Sequence, residues 1–176
     1  MFFSTRGGKR GLIVFVVAMA ALGITACSSD DPSTPDDDTS SPSTRAADAD
    51  AVEDLVSRYW AAVVKSENTV DANPGQFDDV AEGQVVEEQV KTARDYEKAG
   101  IRRVGEPEIT EVEASVSGDT ADIMACLNED GWTAEQDGST IKAPKLGPKP
   151  WGAQAKRRPD GWVITDVRVP DGAKEC

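Results

Sequence analysis

From Ser28 to Ala51 the chain reads SSDDPSTPDDDTSSPSTRAADADA, with almost no apolar side chain before Val52. A stretch of Ser, Thr, Pro and Asp cannot bury enough surface to offset the entropy of fixing its backbone. Residues 27–51 are therefore expected to be a disordered acidic linker, and any hydrophobic core has to come from residues 52–176, enough for one domain. As a flexible coil the 24-residue linker would span about 27 Å, more if proline and like charge extend it. An O-glycosylated stalk is compatible with the same composition.

What precedes the linker is of a different kind. Residues 1–10 carry Arg6, Lys9 and Arg10 and no acid, and residues 11–26, GLIVFVVAMAALGITA, carry no charge. A basic start followed by an apolar run is the pattern of a signal peptide. The run of 16 residues is shorter than the roughly 18 to 20 needed for a permanent membrane helix. Residues 1–26 are thus expected to be cleaved, with an uncleaved anchor as the alternative. Ile24-Thr25-Ala26-Cys27 resembles the lipobox of bacterial lipoproteins, which prefers Leu where Ile24 stands. The resemblance implies that Cys27 is joined to diacylglyceryl and becomes the mature N-terminus, although ordinary signal peptidase also accepts small residues there. Each buried methylene contributes about 0.8 kcal/mol, so one acyl chain holds a protein marginally and two or three hold it durably. The expected location is the outer, extracytoplasmic face of the cell membrane, with the membrane itself as partner through lipidated Cys27.

The whole chain has a net charge of −13, and losing the three basic residues of the leader takes it to −16. Such a surface disfavours nucleic acid, and no motif for it is present. Lys142, Lys145, Lys149, Lys156, Arg157 and Arg158 form an exception, a run of cations between Gly138 and Pro159 without an acid. On one face they would lean on anionic lipid or an acidic envelope polymer; the alternative, which is favoured, is a solvated pair of strands and a loop. If Cys27 carries lipid, Cys126 and Cys176 remain as a pair in an oxidising compartment, and a disulfide between them is expected over two free thiols. The chain has no histidine. That removes the usual base for a nucleophilic thiol or hydroxyl and the commonest zinc ligand sets. No glycine-rich phosphate loop occurs, and neither cofactor nor metal is expected.

In the remaining sequence, Val52, Leu55, Val56, Tyr59, Trp60, Val63 and Val64 recur at helical spacing behind Asp48 or Asp50 as a cap. Asn73-Pro74-Gly75 interrupts; Phe77 and Val80 begin a second helical segment, and Val85, Val86, Val90, Ala93 and Tyr96 form a third that stops at Gly100. The period then changes to two. ITEVEASVSGDTADIMACLNED predicts a hairpin about Gly118-Asp119, with Val116 facing Ala121, Ala114 facing Ile123, and Val112 facing Ala125 on one apolar face. Glu111, Glu113, Met124 and Cys126 fall on the other. Further turns are expected at Asp137-Gly138 and Asp160-Gly161, the last between strands carrying Trp151 and Trp162, while Pro144, Pro148 and Pro150 argue for a loop or edge. Helices followed by an antiparallel meander predict an α+β fold, helices packed on one curved sheet.

This order, with Tyr59-Trp60 on the first helix, AGIRRVGEPEI leading into the first long strand and a final GWVITDVRV, resembles the cone-shaped, cystatin-like superfamily of nuclear transport factor two and ketosteroid isomerase. More narrowly it is similar to small actinobacterial lipoproteins with such a domain. The resemblance implies a cone whose catalytic members aim a carboxylate base and a tyrosine or carboxylic acid partner inward, their pKa values set by apolar burial. No such residues match one by one here: Tyr59 reads as a core aromatic, and Asp122 and Asp166 as solvent-facing strand residues. The expected function is a non-catalytic surface lipoprotein binding a protein, envelope polymer or small apolar ligand, with Tyr59 and Trp60 as candidate pocket residues. Alternatives are an isomerase-like or cyclase-like enzyme using the cavity, and a spacer with a filled cone. Oligomeric state is not legible.

Overall fold

The computed structural model describes residues 42–169 and 175–176. The leader, Cys27 and the linker up to residue 41 lie outside the described residues. Helix α1 (Pro42–Thr69) begins ten residues before Val52, so the last part of the segment expected to be a disordered linker is helical instead. Ala46, Ala47, Ala49 and Ala51 explain the difference, since alanine is the best helix former although it adds little to an apolar stripe. Asp48 lies inside this helix, not at its cap, and its carboxylate pairs with Arg157. Val52, Leu55, Val56, Tyr59 and Val63, all at most 2% exposed, form the buried stripe. The helix ends with Val70 in the left-handed region (φ 53°) and the Asp71 N–H donating to the Ser66 carbonyl at 2.9 Å, the closing bond of a Schellman motif.

Asn73 accepts from the Gly75 N–H at 3.0 Å and starts a single 3-10 turn, Pro74–Phe77, where a helical segment was expected. Fully buried Phe77 holds this turn against the core. Val80 and Glu82 then hydrogen bond with Ile164, each at 2.9 Å, so the connection continues the sheet. Helix α2 (Gln84–Ala99) buries Val85, Val90 and Ala93 and stops at Gly100, whose φ of 66° suits glycine.

Seven strands follow: β1 (Ile101–Val104), β2 (Glu108–Ser117), β3 (Thr120–Asn128), β4 (Thr133–Gln136), β5 (Ser139–Ile141), β6 (Lys149–Arg158) and β7 (Gly161–Val167). All pairings among these seven strands are antiparallel, and they divide into a four-stranded sheet of order β2-β3-β6-β7 and a three-stranded sheet of order β1-β4-β5. The fold is α+β, with the two helices packed on antiparallel sheets. The Gly118-Asp119 hairpin has the expected register from Ser117↔Thr120 to Glu113↔Met124. Beyond it the register shifts by one: Thr110, not Glu111, stands opposite Cys126, and Glu111 takes a φ of 51°. The extra residue is a β-bulge, and it returns Ile109 to the core side that Val112 occupies. Asp137-Gly138 turns with both residues at positive φ, as a two-residue hairpin loop requires. The last turn is Pro159-Asp160, one residue earlier than expected: proline presets the first loop position and Gly161 already pairs with Arg158.

β3 is central, and Ala125, Cys126 and Leu127 are buried in succession, on both of its faces. Cys126 lies on the face away from the helices and is joined by a disulfide to Cys176, their Cα atoms 5.7 Å apart. The final residue is thereby fixed to the middle of the large sheet.

Candidate functional site

The apolar stripe of α1 places Tyr59 and Trp60 toward the sheets, where they meet Trp132 from the start of the β4 hairpin and Trp151 from β6. Tyr59 stacks on Trp151 with ring centroids 6.2 Å apart, and Trp60 makes edge contacts with Trp151 (5.7 Å) and Trp132 (6.3 Å). All four are nearly buried, so aromatic rings occupy the space between helix and sheets. Gln89 donates to the Tyr59 hydroxyl at 3.3 Å, and burial pushes the phenol well above its usual range, keeping it neutral. Tyr59 is an interior residue. Trp60 additionally edges a groove of about 420 Å³ with Val56, Val64, Ile109 and Val112.

One turn beyond Val63 the same stripe carries Ser66 and Glu67, which are 0% and 7% exposed. Ser66 donates to the Asp71 carbonyl at 2.8 Å. Glu67 lies close to Arg103 of β1 and Glu129, the residue after β3. Burial raises its carboxyl from 4.5 to about 7, the Arg103 guanidinium opposes the rise and Glu129 adds to it. Arg103 in turn stacks on the Trp132 ring, 3.9 Å from its centroid, donates to the Trp132 carbonyl at 2.5 Å, and lies 3.7 Å from the Glu129 carboxylate. Its Nε is buried without a hydrogen-bond partner among the described residues. Asn68 completes the group: its Oδ1 accepts from Trp132 Nε1 at 2.9 Å and its Nδ2 donates to the Gly105 carbonyl at 2.8 Å.

Arg103, Glu129 and Trp132 also line a half-open cleft of about 500 Å³, outside the aromatic interior. Its far side is Ile141 of β5 and the loop of residues 142–148. Asp130 clips that loop in place, accepting from the N–H groups of Leu146 (2.9 Å) and Gly147 (3.3 Å).

The six cations expected as a possible single face are separated. Lys142, Lys145 and Lys149 surround the cleft, Lys149 pairing with Glu129. Lys156, Arg157 and Arg158 lie at the opposite end of β6, about 23–30 Å along the strand from Lys149. Arg157 pairs with Asp48 and lies over the Trp162 ring, while Arg158 pairs with Glu82, so these two are engaged within the fold. Asp122 is exposed and accepts from Gln154 at 3.0 Å; Asp166 is half-buried and pairs with Arg168 at 2.9 Å. Neither lies with Glu67. Glu67, Arg103 and Glu129 were not singled out from the sequence. The signal available was the α1 stripe itself, whose 3-4 spacing runs on from Val63 to Ser66 and Glu67.

No family model matches the chain, and no curated protein matches it in sequence. Several solved structures are similar to it. A protein from Kribbella flavida is 16% identical, with 73% of this chain and 91% of that one covered and a TM-score of 0.48. An NTF2-like protein with a cystatin-like fold from Novosphingobium aromaticivorans is 15% identical over 76% of this chain and 92% of that one, at a TM-score of 0.42. The intermembrane space region of the chloroplast protein ARC6 is 15% identical, covering 69% of this chain and 95% of its own, at 0.46. No residue role is carried from them to this chain.

Proposed function

We propose that this chain is a lipid-anchored extracytoplasmic lipoprotein of the cone-shaped superfamily, whose domain binds a partner or ligand without chemical turnover. Anchoring rests on Ile24-Thr25-Ala26-Cys27 at the end of an apolar run. The filled interior speaks against turnover, since Tyr59, Trp60, Trp132 and Trp151 take the volume in which a substrate would meet a base; the observation that carries binding over a spacer is the half-open cleft of about 500 Å³ beside it. Asp122 and Asp166 face other groups at the surface. The isomerase-like or cyclase-like alternative has Glu67 in its favour, a buried carboxyl that titrates at about 7. Against it, Glu67 is buried and is not among the residues that line the cleft.

Expression of the full chain in a lipoprotein-processing bacterium, followed by intact-mass measurement of the membrane fraction, tests the anchoring. The expected species begins at Cys27 and carries diacylglyceryl, and Cys27→Ala shifts the protein out of the membrane fraction. A bare N-terminus, or a Cys27→Ala protein that stays uncleaved in the membrane, overturns it.

A further inference from the structure

The 500 Å³ cleft has a composition unlike the rest of the surface. The chain is strongly acidic, yet the cleft is lined by four cations, Arg103, Lys142, Lys145 and Lys149, against two carboxylates, Glu129 and Asp130. Both carboxylates are already engaged: Glu129 with Arg103 and Lys149, Asp130 with two backbone N–H groups of the loop. Lys142 and Lys145 are exposed and pair with no carboxylate among the described residues. The apolar part is equally localised. Among the described residues three large hydrophobic side chains are exposed, and two of them, Leu146 (76%) and Ile141 (38%), line this cleft. Ile141 is fixed on β5, and Leu146 sits in a loop segment clipped by Asp130 and bounded by Pro144 and Pro148, so the wall stands before any ligand arrives.

We propose that this cleft binds a small amphipathic carboxylate, its head group held by Lys142 and Lys145, its apolar body against Ile141 and Leu146. The volume is that of a small-molecule site, and the apolar wall gives a polyanion nothing to hold. Removing Leu146 and Ile141 from water supplies the apolar part of the affinity, and the cations select the sign of the head group. The inference deepens the binding reading above and rests on it.

The test uses the full chain in zwitterionic nanodiscs and three probes with the same tail: octanoate, octylammonium and octanol. Methyl chemical shifts of Ile141 and Leu146 report occupancy. Octanoate is expected to move both saturably, and octylammonium is expected to leave them in place. Octanol is expected to bind more weakly than octanoate. The Lys142→Glu, Lys145→Glu double variant is expected to weaken octanoate by about tenfold, and Leu146→Ser to weaken octanoate and octanol alike. These exposed loop positions contribute nothing to the core, and unchanged shifts elsewhere in each variant verify that it is folded. Equal binding of octylammonium, an unaltered double variant, shifts confined to the Trp60 groove, or saturation by an acidic peptide with no response to octanoate overturns the proposal. Failure here with Cys27-dependent anchoring intact removes the ligand class alone; turnover of octanoate or loss of anchoring removes the broader reading while the shifts remain.

Discussion

Trp132 Nε1 donates to Asn68 Oδ1 across 64 positions of sequence, and Asn68 returns a hydrogen bond to the Gly105 carbonyl. One side chain at the end of α1 therefore ties together the ring that floors the cleft and the turn that follows β1. Asn68→Leu keeps the size but strands the buried Trp132 indole N–H, a penalty of about 1–3 kcal/mol. Chemical denaturation should show a lower midpoint with an unchanged slope. An unchanged midpoint would mean that solvent reaches the indole N–H.

The carboxyl of Glu67 gives stability an unusual pH slope. With its pKa raised from 4.5 to about 7 on folding, the folded chain binds the proton more tightly than the unfolded chain. Its contribution is fully present below about pH 4.5 and is lost as pH rises through about 7, amounting to at most about 3 kcal/mol. Glu67→Gln should flatten this segment of the stability profile and be more stable than the parent at pH 8. Parallel profiles for parent and variant between pH 4.5 and 8 would contradict the burial that raises the Glu67 carboxyl.

Gly105 has a φ of 89°, and a Cβ placed there would lie 2.5 Å from the Gly131 carbonyl oxygen. Gly105→Ala combines strained backbone with a backbone clash, and a loss of about 2 kcal/mol or more is expected. Because this turn sets β1 against β4, the variant should also perturb the Trp132 environment, read as a change in near-ultraviolet circular dichroism.

Reduction opens a closed loop spanning 50 positions, from Cys126 to Cys176. A lower melting temperature is expected, corresponding to about 2–4 kcal/mol. A Cys126→Ser, Cys176→Ser double variant should melt at the same temperature with and without reductant. An identical transition for oxidised and reduced parent would show that the bond adds nothing to stability.

Periodicity carried most of the fold into view. The alternation through Ala114, Val116, Ala121 and Ile123 fixed the hairpin face, and Gly100 marked the end of α2 where the left-handed cap requires it. Ile109 and Val112 stand three apart, a break in the alternation that marks the bulge at Glu111 and is easily overlooked when the whole strand is read at period two. The early start of α1 was hidden because alanine carries helix propensity while adding little to an apolar stripe. The cleft was less legible. Glu67 reads as solvent-facing on its own, and only the return of β1 and the end of β3 brings Arg103 and Glu129 to it. The cations were visible as a run, but antiparallel geometry sends one half to each end of β6.

Helix α1 enters the domain from Pro42 and lies along it through Thr69. Tension applied at its leading end would load the entire helix–sheet contact in shear at once. Val52, Leu55, Val56, Tyr59 and Val63 would have to slide together, so a pull from that side acts on the buried stripe as one unit instead of peeling away an edge strand.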